Sequence, residues 1–480
     1  MDFEVLTRWF LTSIPEVIVI SAACCLLMVD LFIKKGSRDV IAYLSLATVI
    51  GAAAGTFVLA GSSLQAAYSG MFVVDGFATF FKMVVYLATI LSILLSVSFI
   101  KVEAIEQGEY YVLLLFALGG MMIMASGADL LSIYLGLELM ALSVYVLTGF
   151  MRRDQRSNEA AMKYVILGAV STGILLYGIS LVYGLTGTTR LVDIATALSH
   201  MDGGDTALVL ALVFLISGFA FKVAAFPFHM WAPDVYEGAP TPITAFMSVG
   251  PKAAGFAVIL RVFLDAFAGA SEVWIVVIAA IAVLTLAIGS LVALVQTNIK
   301  RMLAYSSIAH AGYALLGLVA GGEDGIASVM LYVFIYAFMN MGIFGAVIVM
   351  RKGDFVGENI ADYTGLSKVH PGFALLMLIF LFSLAGIPPT AGFIAKFYIF
   401  VALIQSGYVV LAVIAALFSA IAAFFYIRIV MLMYMKEPTG GFDLNLTPAA
   451  RIALGICGAG TVLIGIFPSW FLDLAQVSVF

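Results

Sequence analysis

The chain of 480 residues is a series of apolar runs, each long enough to cross a lipid bilayer. A helix rises about 1.5 Å per residue, so about 20 residues cover the roughly 30 Å of hydrocarbon in a membrane. About fourteen such runs alternate with short stretches that contain charged residues, glycine or proline. The composition agrees, because 11% charged residues is far below the roughly 25% of soluble domains. The sequence therefore predicts an all-α integral membrane protein with about 14 transmembrane helices.

Prolines interrupt two of the apolar runs and indicate an internal repeat. Pro227 lies in FPFH of span seven, and Pro388 and Pro389 lie in GIPPTAGF of span twelve. The two breaks are five spans apart. Because five is odd, consecutive units of five helices cross the membrane in opposite orientations, as in many transporters with broken helices. We expect two inverted five-helix repeats between flanking spans: residues 1–100 for spans one to three, 101–268 for spans four to eight, 269–436 for spans nine to thirteen, and 437–480 for span fourteen.

Basic residues are concentrated in the loops that follow odd-numbered spans, which the positive-inside rule assigns to the cytoplasm. Both termini are then expected in the periplasm, where Arg8 and Arg190 also lie. The loop after span seven is an exception, because it carries Asp234 and Glu237 in place of basic residues. The basic loop residues are Lys34, Lys35, Arg38, Lys101, Arg152, Arg153, Arg156, Lys300, Arg301, Arg351, Lys352, Lys368, Lys436 and Arg451.

Four charged residues lie well inside apolar runs. They are Glu138 in span five, Lys222 in span seven, Lys252 in span eight and Lys396 in span twelve. Insertion of a charged side chain at the centre of a bilayer costs about 2.5 to 3.5 kcal/mol, so these residues are candidates for ion transport. The alternative is that they form structural ion pairs between helices or snorkel to the interface.

Two histidines within the apolar runs are further candidates. His229 follows the break in span seven, shortly after Lys222. His310, in YSSIAHAGY, is either a hydrogen-bonded structural residue or a proton carrier. Other cations are assigned to structural roles, because Lys82, Arg261 and Arg428 lie nearer the ends of their spans, where snorkelling is expected.

The sequence lacks the usual motifs of redox cofactors and nucleotides. Cys24, Cys25 and Cys457 form neither a C-x-x-C motif nor a cluster with histidine, which argues against an iron–sulfur centre or a zinc site. There is no dinucleotide fingerprint, no Walker loop and no basic arm for nucleic acid. We therefore expect no metal and no cofactor in this chain, and no nucleic acid among its partners.

The segment FKVAAFPFHMWAPDVYEGAPTP, together with Glu138 and Lys396, resembles the antiporter-like membrane subunits of respiratory complex I. The resemblance covers essentially the whole chain, and PDVYEGAPTP is similar to the subunit N branch of that family, the bacterial counterpart of mitochondrial subunit 2. It implies a proton-translocating membrane-arm subunit of an NADH:quinone oxidoreductase in the bacterial inner membrane. Sister antiporter-like subunits would be its partners, and flavin, iron–sulfur clusters and quinone would belong to partner subunits. The alternative is a subunit of a multi-subunit sodium/proton antiporter, which shares the fold and the Glu/Lys pattern.

The resemblance also implies roles for individual residues. Glu138 matches the acid that pairs with the lysine of span seven, here Lys222. Lys252 matches the central lysine of span eight, His229 the histidine of the linking break, and Lys396 the basic residue of span twelve. We therefore expect pairing with Glu138 to hold a proton on Lys222, and separation to release it along Lys252 towards Lys396. His229 and water would bridge the gaps, and His310 is a further candidate.

Overall fold

The computed structural model of the chain is almost entirely helical and describes residues 3–33, 38–61, 66–103, 105, 107–199, 205–350, 357–438 and 444–479. Twelve of the described helices are long and apolar enough to cross a membrane, or thirteen if a bent N-terminal pair counts as one span. Two shorter apolar helices, separated by a break, occupy the remaining predicted span. The predicted all-α class is confirmed. Four basic loop residues, Lys34, Lys35, Arg351 and Lys352, lie outside the described residues.

The first half of the chain contains eleven described α-helices. Two strands of two residues each, β1 (Ala66–Ala67) and β2 (Phe72–Val73), pair between the third and the fourth of these helices. The first two helices meet at an angle of 75°. The helices are α1 (Phe3–Thr12), α2 (Ile14–Asp30), α3 (Asp39–Ala60), α4 (Gly76–Val102), α5 (Glu109–Ser126), α6 (Leu130–Thr148), α7 (Gln155–Thr186), α8 (Leu191–Leu198), α9 (Thr206–Val223), α10 (Trp231–Gly238) and α11 (Thr241–Arg261).

The second half of the described chain contains nine further α-helices. They are α12 (Ser271–Ala293), α13 (Ile299–Ala320), α14 (Gly322–Met350), α15 (Leu366–Val369), α16 (Pro371–Ala385), α17 (Ala391–Gln405), α18 (Val409–Met435), α19 (Pro448–Ile466) and α20 (Pro468–Val477).

Both predicted breaks are present at the prolines. α9 ends at Val223 because Ala224 takes the left-handed conformation, with a φ of 57°, and the chain becomes helical again only at Trp231. α16 ends in the same way at Gly386, whose φ is 84°. Proline has no backbone N–H to donate, so a helix does not continue through Pro227 or through Pro388 and Pro389 undisturbed. The boundaries and inverted relation of the two repeats stay a prediction.

Three helices are more deeply buried than the other long helices described, and hydropathy does not single them out. The most apolar stretch of α11 is entirely buried, and 94% of the corresponding stretches of α13 and α14 are buried. In α18, which is more hydrophobic than any of these three, the buried share is 28%. α11 packs against α4, α5, α9, α13 and α14, which places Lys252 at the centre of the bundle.

Lys82 and Arg261 are buried in ion pairs, so the structural roles assigned to them come from these pairs and not from the expected snorkelling. Lys82 is 1% exposed, and its Nζ lies 2.6 Å from the carboxylate of Glu16 on α2. Arg261 pairs with Asp75 at 2.9 Å, and Asp75 also caps α4 by accepting a hydrogen bond from a backbone N–H. A buried cation needs such a partner because its desolvation is costly. These pairs tie α2 to α4 and α4 to α11.

Candidate functional site

Glu138 lies near the middle of α6 and is half-buried. Its Oε1 is fully buried and accepts no hydrogen bond from the described residues. Tyr145 follows two turns later on the same helix, and its buried hydroxyl also lacks a described partner. The Glu138 carboxylate is near enough to act electrostatically on both Tyr145 and Lys222. The structure therefore brings Glu138 and Lys222 into one neighbourhood.

Lys222 is bonded to a hydroxyl instead of to the carboxylate. Its Nζ donates to Oγ1 of Thr172 on α7 at 3.3 Å. The hydroxyl of Tyr145 faces the same threonine. The ring of Tyr145 fits there because Gly168 lacks a side chain: a Cβ at Gly168 would lie 2.0 Å from that hydroxyl. Tyr145 and Thr172 therefore belong to the surroundings of Glu138 and Lys222, and neither was predicted.

Lys252 is fixed by a serine of the neighbouring core helix. Its Nζ donates to the carbonyl oxygen of Ser307 at 2.8 Å and to the Oγ of Ser307 at 2.6 Å. The lysine is 4% exposed and follows Pro251 inside α11. A cavity of about 20 Å³ lies beside it and is also lined by His310 and Tyr336. That volume accommodates about one water molecule.

His310 continues the polar series from Ser307. The two residues are three positions apart on α13 and are therefore neighbours on one helix face. Nδ1 of His310 lies 2.6 Å from the hydroxyl of Tyr332, and Nε2 lies 3.3 Å from the hydroxyl of Tyr426. The histidine is 4% exposed and has hydrogen-bonding partners on both ring nitrogens. This arrangement allows a proton to be accepted on one nitrogen and released from the other.

Lys396 completes the series on the far side of α13. Its Nζ donates to the carbonyl oxygens of Leu384 and Ala385 and to the hydroxyl of Ser419 at 3.0 Å. It also lies 5.2 Å from the centre of the Tyr313 ring. Tyr313 follows His310 by three residues, and their rings are 6.2 Å apart. One face of α13 therefore connects the surroundings of Lys252 to those of Lys396.

His229 lies apart from this series. Its ring stacks on Phe226 at 5.7 Å, and the backbone N–H of Phe226 donates to Thr285 on α12. The histidine is half-buried, and its Nδ1 has no partner among the residues that the structure describes. The described contacts bring it to neither Lys222 nor Lys252. A bridging role for His229 therefore stays a prediction.

The acidic loop after span seven forms a charged pocket of about 200 Å³. Lys163 binds Asp234 at 2.7 Å, and Arg301 binds Asp234 at 2.7 Å and Glu237 at 3.0 Å. Burial alone would raise the pKa of Asp234, but the hydrogen bonds from Lys163 and Arg301 hold it below its usual value. The departure from the basic loop pattern is explained, because the cations that balance these acids come from α7 and α13.

Known proteins match most of this chain. Residues 127–423, which include all six predicted site residues, match the family described as NADH:quinone oxidoreductase/Mrp antiporter, TM. NADH-quinone oxidoreductase subunit N 2 of Rhizobium meliloti (strain 1021) is 63% identical over 482 residues, covering 100% of both chains. The chain belongs to the subunit N family of NADH-quinone oxidoreductases. It is thus an antiporter-like membrane-arm subunit of complex I, and the predicted resemblance is confirmed.

Two further matches cover nearly the whole chain. NADH-quinone oxidoreductase subunit N of Trichlorobacter lovleyi is 46% identical, covering 97% of this chain and 96% of the relative. A chain of respiratory complex I from Thermus thermophilus with bound aureothin superposes with a TM-score of 0.81 at 30% identity, covering 96% of this chain and 99% of that chain. The predicted class of multi-pass membrane protein and the membrane-arm partner subunits are in agreement with these matches.

The enzyme to which a subunit N contributes is a translocase, as predicted. Within the described ranges, no group of three or more histidine, cysteine, aspartate or glutamate side chains is placed to hold a metal ion.

Proposed function

We propose that this chain moves protons across the membrane along the buried series that runs from Glu138 and Lys222 through Lys252 and His310 to Lys396. The observation that supports this most directly is the bonding of Lys252. Its ammonium, at the centre of the bundle, contacts a hydroxyl and a backbone carbonyl and has no described carboxylate partner. A structural lysine in hydrocarbon is normally paired with an acid, as Lys82 is with Glu16.

Glu138 acts as the switch of the series. Moving one charge against about 150 mV requires roughly 3.5 kcal/mol, at about 2.3 kcal/mol per 100 mV. A proton carrier must therefore change its affinity by about 2.5 pKa units, at about 1.36 kcal/mol per unit. Approach of a carboxylate to a buried ammonium, or its withdrawal, supplies a change of that size. No hydrogen bond from the described residues holds Oε1 of Glu138 in place, so the carboxylate can approach Lys222 or withdraw from it.

The second half of the route runs along α13. Ser307 receives the Lys252 ammonium, His310 follows on the same face, and Tyr313 packs against Lys396. A proton that leaves Lys252 crosses the small cavity to His310 and continues to the region of Lys396. In this arrangement His310 takes the bridging role that the sequence assigned to His229.

We place the redox chemistry in partner subunits, where flavin, iron–sulfur clusters and quinone reside. By the positive-inside rule, the ends of the helices that carry Arg152, Arg156 and Arg301 face the cytoplasm of a bacterial cell, and both termini face the periplasm. The release side near Lys396 is then periplasmic.

The family description includes the Mrp antiporters, so a cation/proton antiporter subunit is the second candidate. Sequence similarity favours the proton-translocating subunit, because whole-length relatives at 63% and 46% identity carry the name NADH-quinone oxidoreductase subunit N. Sodium-dependent proton movement in vesicles without NADH or quinone would support the second.

The test is proton uptake driven by NADH in vesicles that contain the assembled complex with Glu138→Gln or Lys222→Met. Loss of a group that transfers a proton slows its step by about 100-fold or more. We expect proton uptake to fall well below the wild-type rate at equal amounts of complex. Wild-type proton uptake per NADH in both variants would refute the proposed route.

A further inference from the structure

A second polar connection reaches Lys252 from the side of the charged pocket. The pocket formed by Lys163, Asp234, Glu237 and Arg301 opens at the ends of α7, α10 and α13. α10 carries two of its acids and, between them in the sequence, Tyr236. This helix therefore presents carboxylates to the pocket and a phenol to the core.

Tyr236 is completely buried, with an exposed fraction of 0%. Its hydroxyl faces Ser307 on α13 but completes no hydrogen bond with any of the described residues. The hydroxyl of Tyr336 faces the same serine and is also incompletely bonded. Buried hydroxyls without a partner are rare in proteins, so this pair marks a position where hydrogen bonds are made and broken.

Ser307 is the point where these groups meet. Its Oγ receives the Lys252 ammonium at 2.6 Å and faces the hydroxyl of Tyr236. Lys300 fixes the end of α10 by donating to the carbonyl oxygens of Glu237 at 2.7 Å and Ala239 at 2.9 Å. Thr244 also donates to the carbonyl oxygen of Tyr236, at 2.9 Å. The C-terminal end of α10, and with it the backbone of Tyr236, is thus fixed while the hydroxyl stays available.

We propose that Tyr236 is a proton-transfer residue, which carries protons from the charged pocket at Asp234 and Glu237 to Ser307 and Lys252. This inlet makes Lys252 accessible from the pocket side without passage through Lys222. This inference rests on the proposed function, because Lys252 needs a new proton only if it passes its own proton along the route.

The transfer leaves no net charge on the two hydroxyls. After Lys252 has passed its proton towards His310, its neutral amine accepts the proton of the Ser307 hydroxyl. Ser307 takes the proton of the Tyr236 hydroxyl, and Tyr236 regains a proton that a water molecule carries to it from a hydronium ion in the pocket. One O–H bond breaks and one forms at each oxygen, and the pocket loses one proton. Asp234 and Glu237 keep the pocket polar and hydrated without themselves being consumed.

The test compares Tyr236→Phe with Tyr110→Phe in the complete complex, reconstituted into vesicles and supplied with NADH. Tyr110 is a matched control, because it is buried on α5 and its hydroxyl is bonded to Ser96 at 2.8 Å, outside the proposed series. Phenylalanine keeps the ring that packs 6.1 Å from Trp231. We expect Tyr236→Phe to slow proton uptake at least about tenfold relative to Tyr110→Phe, since a lost proton-transfer group slows its step strongly. Equal proton uptake in the two variants would overturn the inlet.

A second variant separates transfer from packing. Tyr236→3-fluorotyrosine keeps the hydroxyl and nearly the same shape but makes the hydroxyl more acidic. If Tyr236 transfers protons, the pH profile of proton uptake shifts to lower pH, and the same replacement at Tyr110 leaves the profile unchanged. An unshifted profile at position 236 overturns the proposal even if Tyr236→Phe fails to assemble.

Lys252→Met in the same assay distinguishes this inference from the proposed function. Impaired uptake in Lys252→Met together with wild-type behaviour of both Tyr236 variants rejects the inlet alone. Wild-type uptake in Lys252→Met rejects the route itself.

Discussion

The Nζ of Lys396 donates to the carbonyl oxygen of Ala385 at 2.9 Å, across the break that separates α17 from α16. Ala385 is the last residue of α16, where carbonyl groups lack partners within their own helix. These carbonyls also form the negative end of the helix dipole, which favours a cation. Lys396 therefore stabilises the broken helix as well as standing at the end of the proposed route.

Substitution of Lys396 is expected to lower both the stability of the broken helix and the rate of proton uptake. Lys396→Met leaves the end of α16 with unpaired buried carbonyls, which costs about 1 to 3 kcal/mol. We expect a lower melting temperature of the isolated complex together with slower proton uptake. Unchanged melting and unchanged proton uptake would show that the contact across the break has neither role.

Gly386→Ala displaces the same lysine without removing its charge. The glycine has a φ of 84°, and a Cβ there would lie 3.2 Å from Nζ and 3.0 Å from Cδ of Lys396. An L-residue in this conformation destabilises the fold by more than about 1 kcal/mol. The prediction is slower proton uptake with intact assembly, and Gly407→Ala is the control, because its φ is 83° but no atom lies within 4 Å of the added Cβ. Equal effects of the two substitutions would assign the change to backbone strain alone.

Tyr145→Phe tests whether the Tyr145 hydroxyl connects Glu138 to Lys222 through Thr172. The ring of Tyr145 packs edge-on against Tyr164 at 4.7 Å, and phenylalanine retains this packing. Removal of the hydroxyl interrupts the connection through Thr172, so we expect slower proton uptake with a normal amount of assembled complex. Tyr86→Phe, which removes a buried hydroxyl bonded to Thr56 at 2.9 Å, serves as the reference. The role of Tyr145 is excluded if its variant is as active as the reference.

We expect His310 and His229 to contribute unequally to proton uptake. His310 is bonded to Tyr332 and Tyr426 beside the Lys252 cavity, whereas His229 stacks on Phe226 towards α12. We expect His310→Phe to reduce proton uptake strongly and His229→Phe to leave most of it. The opposite order, measured in the same vesicles, would restore His229 as the bridge.

The buried ion pair of Lys82 and Glu16 is expected to stabilise the fold without taking part in proton transfer. Removal of one partner of a buried ion pair costs about 3 to 5 kcal/mol, whereas replacement of both by apolar residues is often neutral. Lys82→Met should therefore lower the yield of assembled complex, and Lys82→Met with Glu16→Leu should restore it. Proton uptake per assembled complex should stay at the wild-type value, and a deficit there would place this pair in the transport route.

The breaks and the central charges are visible in the sequence because they violate the rules of an apolar helix. A proline inside span seven or a lysine at position 252 is conspicuous against its neighbours. Helix burial is not visible in the same way, since α18 is more hydrophobic than α11 and α13 but far less buried. Hydropathy measures the free energy of transfer from water. It does not distinguish a helix that faces lipid from one that faces protein, because lipid tails and the protein interior are equally apolar.

The residues that connect the charges could not be predicted for a related reason. Serine, threonine and tyrosine are common in membrane helices, so Thr172 and Ser307 carry no distinguishing pattern in the sequence. Only packing between α7 and α9, or between α11 and α13, brings them to a lysine. The spacing of Ser307, His310 and Tyr313 on α13 was available in the sequence and would have indicated one polar helix face.

The number of protons taken up per NADH oxidised by the complex with Lys252→Met tests the central claim most directly. Lys252 is the residue on which the route from Lys222, the inlet at Tyr236 and the path along α13 converge. We expect proton uptake well below that of the Lys82→Met and Glu16→Leu double variant, compared at equal amounts of assembled complex. Wild-type proton uptake with methionine at position 252 would contradict it.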